Sequence, residues 1–149
     1  MRNAIAIALT ATTLCACGAP IGPISGGHLQ GTPKDWPVNW TFTDAQKYIL
    51  LETDPNDPYS VTLWGVSLDD EFYIAAADPS SQWVNNLLQD PAVTVGVSGN
   101  LYIGVATVVN DRSLSQRVRQ RYLAKYEIEA ERFDEIGARG GMLFQITRH

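Results

Sequence analysis

The chain has 149 residues, room for one domain once any leader is removed. Hydrophobic residues make up 45% and charged residues 18%, which excludes a disordered polar chain and fits a soluble globular one. With 16 Asp plus Glu against 11 Lys plus Arg the net charge is −5, and that shortage of basic surface excludes nucleic acid as the main partner.

Met1 to Ala16 reads as an export signal. Arg2 is followed by the apolar run Ala4-Ile5-Ala6-Ile7-Ala8-Leu9, then by small and hydroxyl residues. The run is too short to span a bilayer, which takes about 20 apolar residues. Its end, Leu14-Cys15-Ala16-Cys17, resembles the lipobox of bacterial lipoproteins: Leu14 stands three before the cysteine, Ala16 is the small residue before the cut, and Cys17 is the lipid acceptor. Cys15 departs from the Ala, Ser or Thr usual at that place. The resemblance implies an exported protein, cut before Cys17 and held on a cell-envelope membrane by lipid on that sulfur; an ordinary secretory signal cut nearby is the alternative. Cleavage removes Arg2 and takes the net charge from −5 to −6. Cys15 leaves with the leader and Cys17 is capped, so the mature domain has no free thiol and no disulfide. Residues 17–35 carry the Gly- and Pro-rich stretch from Gly18 to Gly27 and read as a flexible tether, with a domain over 36–149.

Within that domain Tyr48 to Thr53 is a strand candidate, and Asp54-Pro55-Asn56-Asp57-Pro58 a turn. Tyr59 to Leu68 alternates β-branched and aromatic residues. Asp69-Asp70 closes a hairpin whose return strand is Phe72 to Ala77. A short helix capped by Ser80 or Ser81 carries Trp83, Leu87 and Leu88 and ends at Asp90-Pro91. Val93, Val95 and Val97 alternate in the next strand, Gly99-Asn100 turns it, and Leu101 to Val109 pairs with it. Asp111 or Ser113 caps a second helix with Leu114, Val118 and Tyr122 on one face. Glu127 to Gly141 reads as polar loop, and Met142 to Thr147 as a closing strand. The sum is an α+β fold: a mostly antiparallel, barrel-like sheet of five to six strands with two helices.

The run Ser81-Gln82-Trp83-Val84-Asn85-Asn86-Leu87-Leu88-Gln89-Asp90-Pro91-Ala92-Val93 resembles one in the split β-barrel superfamily of pyridoxamine phosphate oxidases, flavin reductases and deazaflavin-dependent nitroreductases. There a Trp three before an Asn-Leu pair leads to a Pro-x-Val strand start; Trp83, Asn86, Leu87, Pro91 and Val93 fall on it. The resemblance implies a split barrel, a homodimer, and FMN or a deazaflavin as cofactor, with Ser60, Thr62, Ser81 and Trp83 as its contacts. Family members hold the cofactor phosphate with Arg or Lys in the second strand and near the short helix. At the matching places this chain has Ser60 and Thr62, then Ser80, Ser81 and Gln82, and no Lys or Arg lies between Glu52 and Asn110. A flavin phosphate carries about two negative charges, and an uncompensated anion is costly to bury. Two functions follow: a binding or structural module that has lost the cofactor, or a flavin- or deazaflavin-dependent oxidoreductase.

The remaining candidates read as structural. His28 lies in Gly26-Gly27-His28-Leu29-Gln30-Gly31 and His149 ends the chain; with no paired ligand spacing they make no metal site. Asp54, Asp57, Asp69 and Asp70 stand at turn positions, where Asp is ordinary. Arg117, Arg119, Arg121 and Lys125 form a basic helix face, read as solvated and paired with Glu127 and Glu129. Trp64, Tyr73, Trp83 and Tyr102 read as core, with an aromatic pocket as the functional alternative.

Overall fold

A computed structural model describes residues 18–138 and 140–149. The lipobox-like Leu14-Cys15-Ala16-Cys17, and the leader before it, lie outside the described residues. The described chain forms β1 (Thr32–Pro33), a 3-10 turn (Thr41–Ala45), β2 (Ile49–Thr53), β3 (Tyr59–Leu63), β4 (Gly65–Leu68) and β5 (Glu71–Ala76). There follow α1 (Gln82–Gln89), β6 (Ala92–Val97), β7 (Asn100–Val108), α2 (Arg112–Tyr126), α3 (Ala130–Ala138) and β8 (Met142–Arg148).

The strands make one sheet in the order β3-β2-β6-β7-β8-β5-β4, antiparallel along that path. β1 lies parallel to the start of β7, with Thr32 opposite Asn100. β3 and β4, the two ends of the path, are consecutive in the chain and separated only by Trp64, so the sheet curls until its edges meet. That is a split β-barrel, as the sequence implied, with more strands and one more α-helix than expected.

Residue period places the core. Ile49 and Leu51 on β2, Phe72 and Ile74 on β5, Val93 and Val95 on β6, and Phe144 and Ile146 on β8 alternate inward and are almost fully buried. α1 adds Trp83, Val84 and Leu87 to this interior, and Trp40 stacks on Phe72 at 4.7 Å between ring centroids. A second cluster lies outside the barrel, where Val118 and Tyr122 of α2 cover Val66 of β4 and Tyr73 of β5. Both expected hairpins form. Asp69 and Asp70 have φ of 52° and 66°, and the β6–β7 turn uses Ser98 and Gly99 at 49° and 79°, one residue earlier than expected. Positive φ at both central residues matches the right-handed twist of the flanking strands.

Three expectations change. Tyr59 to Leu68 is two strands, broken at Trp64. At the corner, a Cβ on Gly65 would collide with the Phe72 ring, so only glycine fits. Glu127 to Gly141, read as loop, contains α3. The stretch read as a tether is laid on the sheet from Gly26 onward. Gly26 and Ser60 exchange backbone hydrogen bonds of 2.9 and 2.8 Å on the outer edge of β3, and Leu29 is 1% exposed. This strap crosses the outer face of β3, β2 and β6 to reach β7. Gly96 of β6 eases the crossing: a Cβ there would lie 3.3 Å from Leu29 Cδ1 and 3.2 Å from Leu50 Cβ, close enough that a neighbour would have to shift. The Leu29 N–H donates to the buried Glu52 carboxylate, and His28 Nδ1 lies 3.1 Å from the same oxygen.

Candidate functional site

The four residues matched to cofactor contacts do not share one surface. Tyr59, Val61 and Leu63 of β3 pack on the barrel interior, so Ser60 and Thr62 belong to the opposite, outer face. Ser60 is fully buried beneath the strap, its N–H and C=O both taken by Gly26 and its Oγ without a hydrogen-bond partner. Trp83 points inward, 6% exposed, with its ring 5.8 Å from that of Phe144. Ser81 is the N-cap residue of α1, but its hydroxyl donates backward to Asp78 O at 2.9 Å instead of capping the helix. At Ser60 a phosphate would find both backbone groups taken and one hydroxyl without a partner, and no Lys or Arg lies between Glu52 and Asn110 to meet its charge. The residues present do not fit that group.

Other polar groups of this region hold the fold. Asn86, buried on α1, donates to Thr53 Oγ1 at 3.0 Å and accepts from Gln82 Nε2 at 2.7 Å, tying the helix to β2. Asp54 accepts from the N–H groups of Asn56 and Asp57, an Asx turn that accounts for its left-handed φ of 53°. Of the four aromatics, Tyr73, Trp83 and Tyr102 are core; Trp64 is 37% exposed and stacks on Tyr126 at 4.4 Å.

The basic face of α2 is paired, though not with Glu127 or Glu129. Arg117 meets Asp69 at the β4–β5 turn, Arg121 meets Asp44 at 2.8 Å, and Lys125 donates to the carbonyls of Thr43 and Gly65 at 2.8 and 2.7 Å. Arg119 forms a two-pronged pair with Asp134 of α3, at 2.7 and 2.8 Å. That pairing raises the Arg119 pKa and holds the Asp134 carboxyl below the usual carboxylate range.

The Arg119–Asp134 pair stands at the rim of a cleft of about 780 Å³ between α2, α3 and the ends of β5, β7 and β8. Ala75, Val118, Tyr122 and Leu143 supply apolar wall, Phe133 of α3 lies 5.7 Å from Tyr122 between ring centroids, and Asn110, Arg112 and Gln116 add polar groups. An apolar lining with a few polar groups is the make-up of a binding site. No group of three or more His, Cys, Asp or Glu able to hold a metal occurs among the described residues. The cleft escaped the sequence reading because α3 did. The available signal was Phe133 and Ile136, three apart in a mostly polar stretch.

No protein-family model matches the chain, and no curated protein does. Solved structures do. A conserved hypothetical protein of Mycobacterium tuberculosis shares 20% identity at a TM-score of 0.59, over 78% of this chain and 86% of that one. The heme storage protein HutZ of Vibrio cholerae shares 17% at 0.60, over 73% and 86%. An F420-H2 dependent reductase shares 15% at 0.56, over 68% and 95%. The chain has the split-barrel fold of these proteins.

Proposed function

We propose that this chain is an exported lipoprotein, anchored through Cys17, whose split-barrel domain has lost cofactor binding and works as a binding module. The cleft between α2, α3 and the sheet is its receptor site. One observation carries the reading: the β3 position that the fold would offer to a cofactor phosphate is roofed by the chain's own strap. Gly26 takes both backbone groups of Ser60, and no Lys or Arg lies between Glu52 and Asn110. Retaining the oxidoreductase alternative would require a phosphate held without any Lys or Arg from β3 through β7, in a stretch that carries Asp69, Asp70, Glu71 and Asp78. Among the described residues no helix is long and apolar enough to cross a membrane.

The test is a visible absorption spectrum of residues 18–149, purified from cells that make flavin and deazaflavin, followed by titration with added FMN and deazaflavin. The reading predicts a colourless protein and no saturable change on titration. A yellow protein that releases flavin or deazaflavin on denaturation contradicts it and restores the oxidoreductase.

A further inference from the structure

Immediately after the expected lipid acceptor, the chain makes a tight turn that shows two isoleucines to solvent. Ile21 and Ile24 exchange backbone hydrogen bonds of 3.0 Å in both directions, with Gly22 at φ 57° and Pro23 between them. Their side chains are 76% and 66% exposed, while the neighbouring Pro20 is buried. The turn is rooted in the fold: the Gly18 carbonyl accepts the Gly27 N–H at 2.9 Å, and Gly26 is bonded to Ser60.

We propose that the Ile21–Ile24 turn is a membrane-contacting surface, seated in the interface of the bilayer that holds the acyl chains of Cys17. This rests on the lipoprotein reading. Three features favour lipid as the occupant. Adjacent Cα atoms lie about 3.8 Å apart, so a lipidated Cys17 sits beside a Gly18 that is already fixed on the domain. The turn is therefore delivered to the headgroup region whenever the acyl chains insert. No charged residue occurs from Gly18 to Gly27, so seating the turn strips no ion of water. The backbone groups of Ile21 and Ile24 that face each other are mutually paired, and the two side chains thus enter an apolar medium without leaving those donors and acceptors unmet. A covalent chain plus an apolar side-chain contact is a two-signal attachment, and the second signal fixes which way the domain faces.

The mature protein has no thiol besides the acylated Cys17, so one introduced cysteine can be labelled alone. An environment-sensitive fluorophore is placed at Ile24→Cys, with Ile21→Cys as a second reporter and Thr107→Cys, on the exposed side of β7, as reference. The acylated proteins are reconstituted into phosphatidylethanolamine–phosphatidylglycerol vesicles with and without headgroup-proximal spin-labelled lipid. The proposal predicts blue-shifted emission and strong quenching for labels at 24 and 21, and neither at 107. Labels at 24 and 21 that behave like that at 107, on protein carrying the acyl mass and co-sedimenting with vesicles, overturn the proposal and leave the anchor standing. Absence of the acyl mass together with failure to co-sediment overturns the anchor, and this inference with it.

Discussion

Tyr126 holds the barrel's corner with one phenolic oxygen. It donates to the Gly65 carbonyl at 2.9 Å and accepts the Gly65 N–H at 3.0 Å, while its ring stacks on Trp64. Burial pushes its pKa up to about 12, and full burial carries that of Tyr122 well above its ordinary value of 10.0. A raised folded-state pKa means that the native protein keeps a proton which the unfolded chain has lost. The stability contributed by neutral Tyr126 is therefore complete below about pH 10 and is lost as pH rises toward 12. Lys125 acts in the opposite sense. Burial lowers its pKa from 10.5, so in the window just below that value the unfolded chain binds more protons and stability rises with pH. Tyr126→Phe orphans the Gly65 N–H and is expected to cost about 1–3 kcal/mol at pH 7. In urea unfolding, the gap between wild type and variant should narrow at pH 11; a gap of equal size at both pH values contradicts this account. The corner itself left a trace in the sequence. Apolar residues occupy odd positions at Tyr59, Val61 and Leu63, then even ones at Val66 and Leu68. That switch of parity marks where the covered side of the strand changes from the barrel interior to α2, and reading the ten residues as one strand passes over it.

Among the elements, those with a strong period were legible. Both hairpins, α1, α2 and β8 follow from alternation, from spacing by four, or from Asp111, whose carboxylate accepts the N–H groups of Ser113 and Leu114 as an N-cap. The strap was not legible, because a segment that crosses strands instead of joining their ladder has no period to display. Its only large apolar anchor within 26–33 is Leu29, set among glycines and polar residues that read equally well as a tether. Contact with Gly96 is what distinguishes the two, and it is tertiary. Leu29→Ala is expected to destabilise the domain by about 2–3 kcal/mol, at the low end for a buried leucine because the strap can settle inward. Urea unfolding of the variant checks it. A change within about 0.5 kcal/mol, the usual range for exposed positions, would mean that the segment is a free tether after all. α3 was missed for a related reason: among its described side chains, Phe133 and the Arg119–Asp134 pair join it to the molecule, and no long apolar stripe marks it in the sequence.

At the scale of the whole molecule the candidate site divides the same way. The sequence led to the barrel, through the order of its elements and a family resemblance, and it shows a stretch from Glu52 to Asn110 without Lys or Arg. It could not reveal that Ser60 lies beneath the strap, or that α2 and α3 enclose a cleft, since both depend on packing between distant segments. On the proposed function, the domain is strapped to its own anchor and faces a bilayer. This central claim is tested most directly by the intact mass of the mature protein extracted from membranes, measured beside Cys17→Ala. The prediction is a chain that begins at Cys17 and carries acyl mass, with the variant unacylated and released from the membrane fraction. A wild-type chain that keeps Met1, or that starts near residue 17 with no acyl mass, contradicts it.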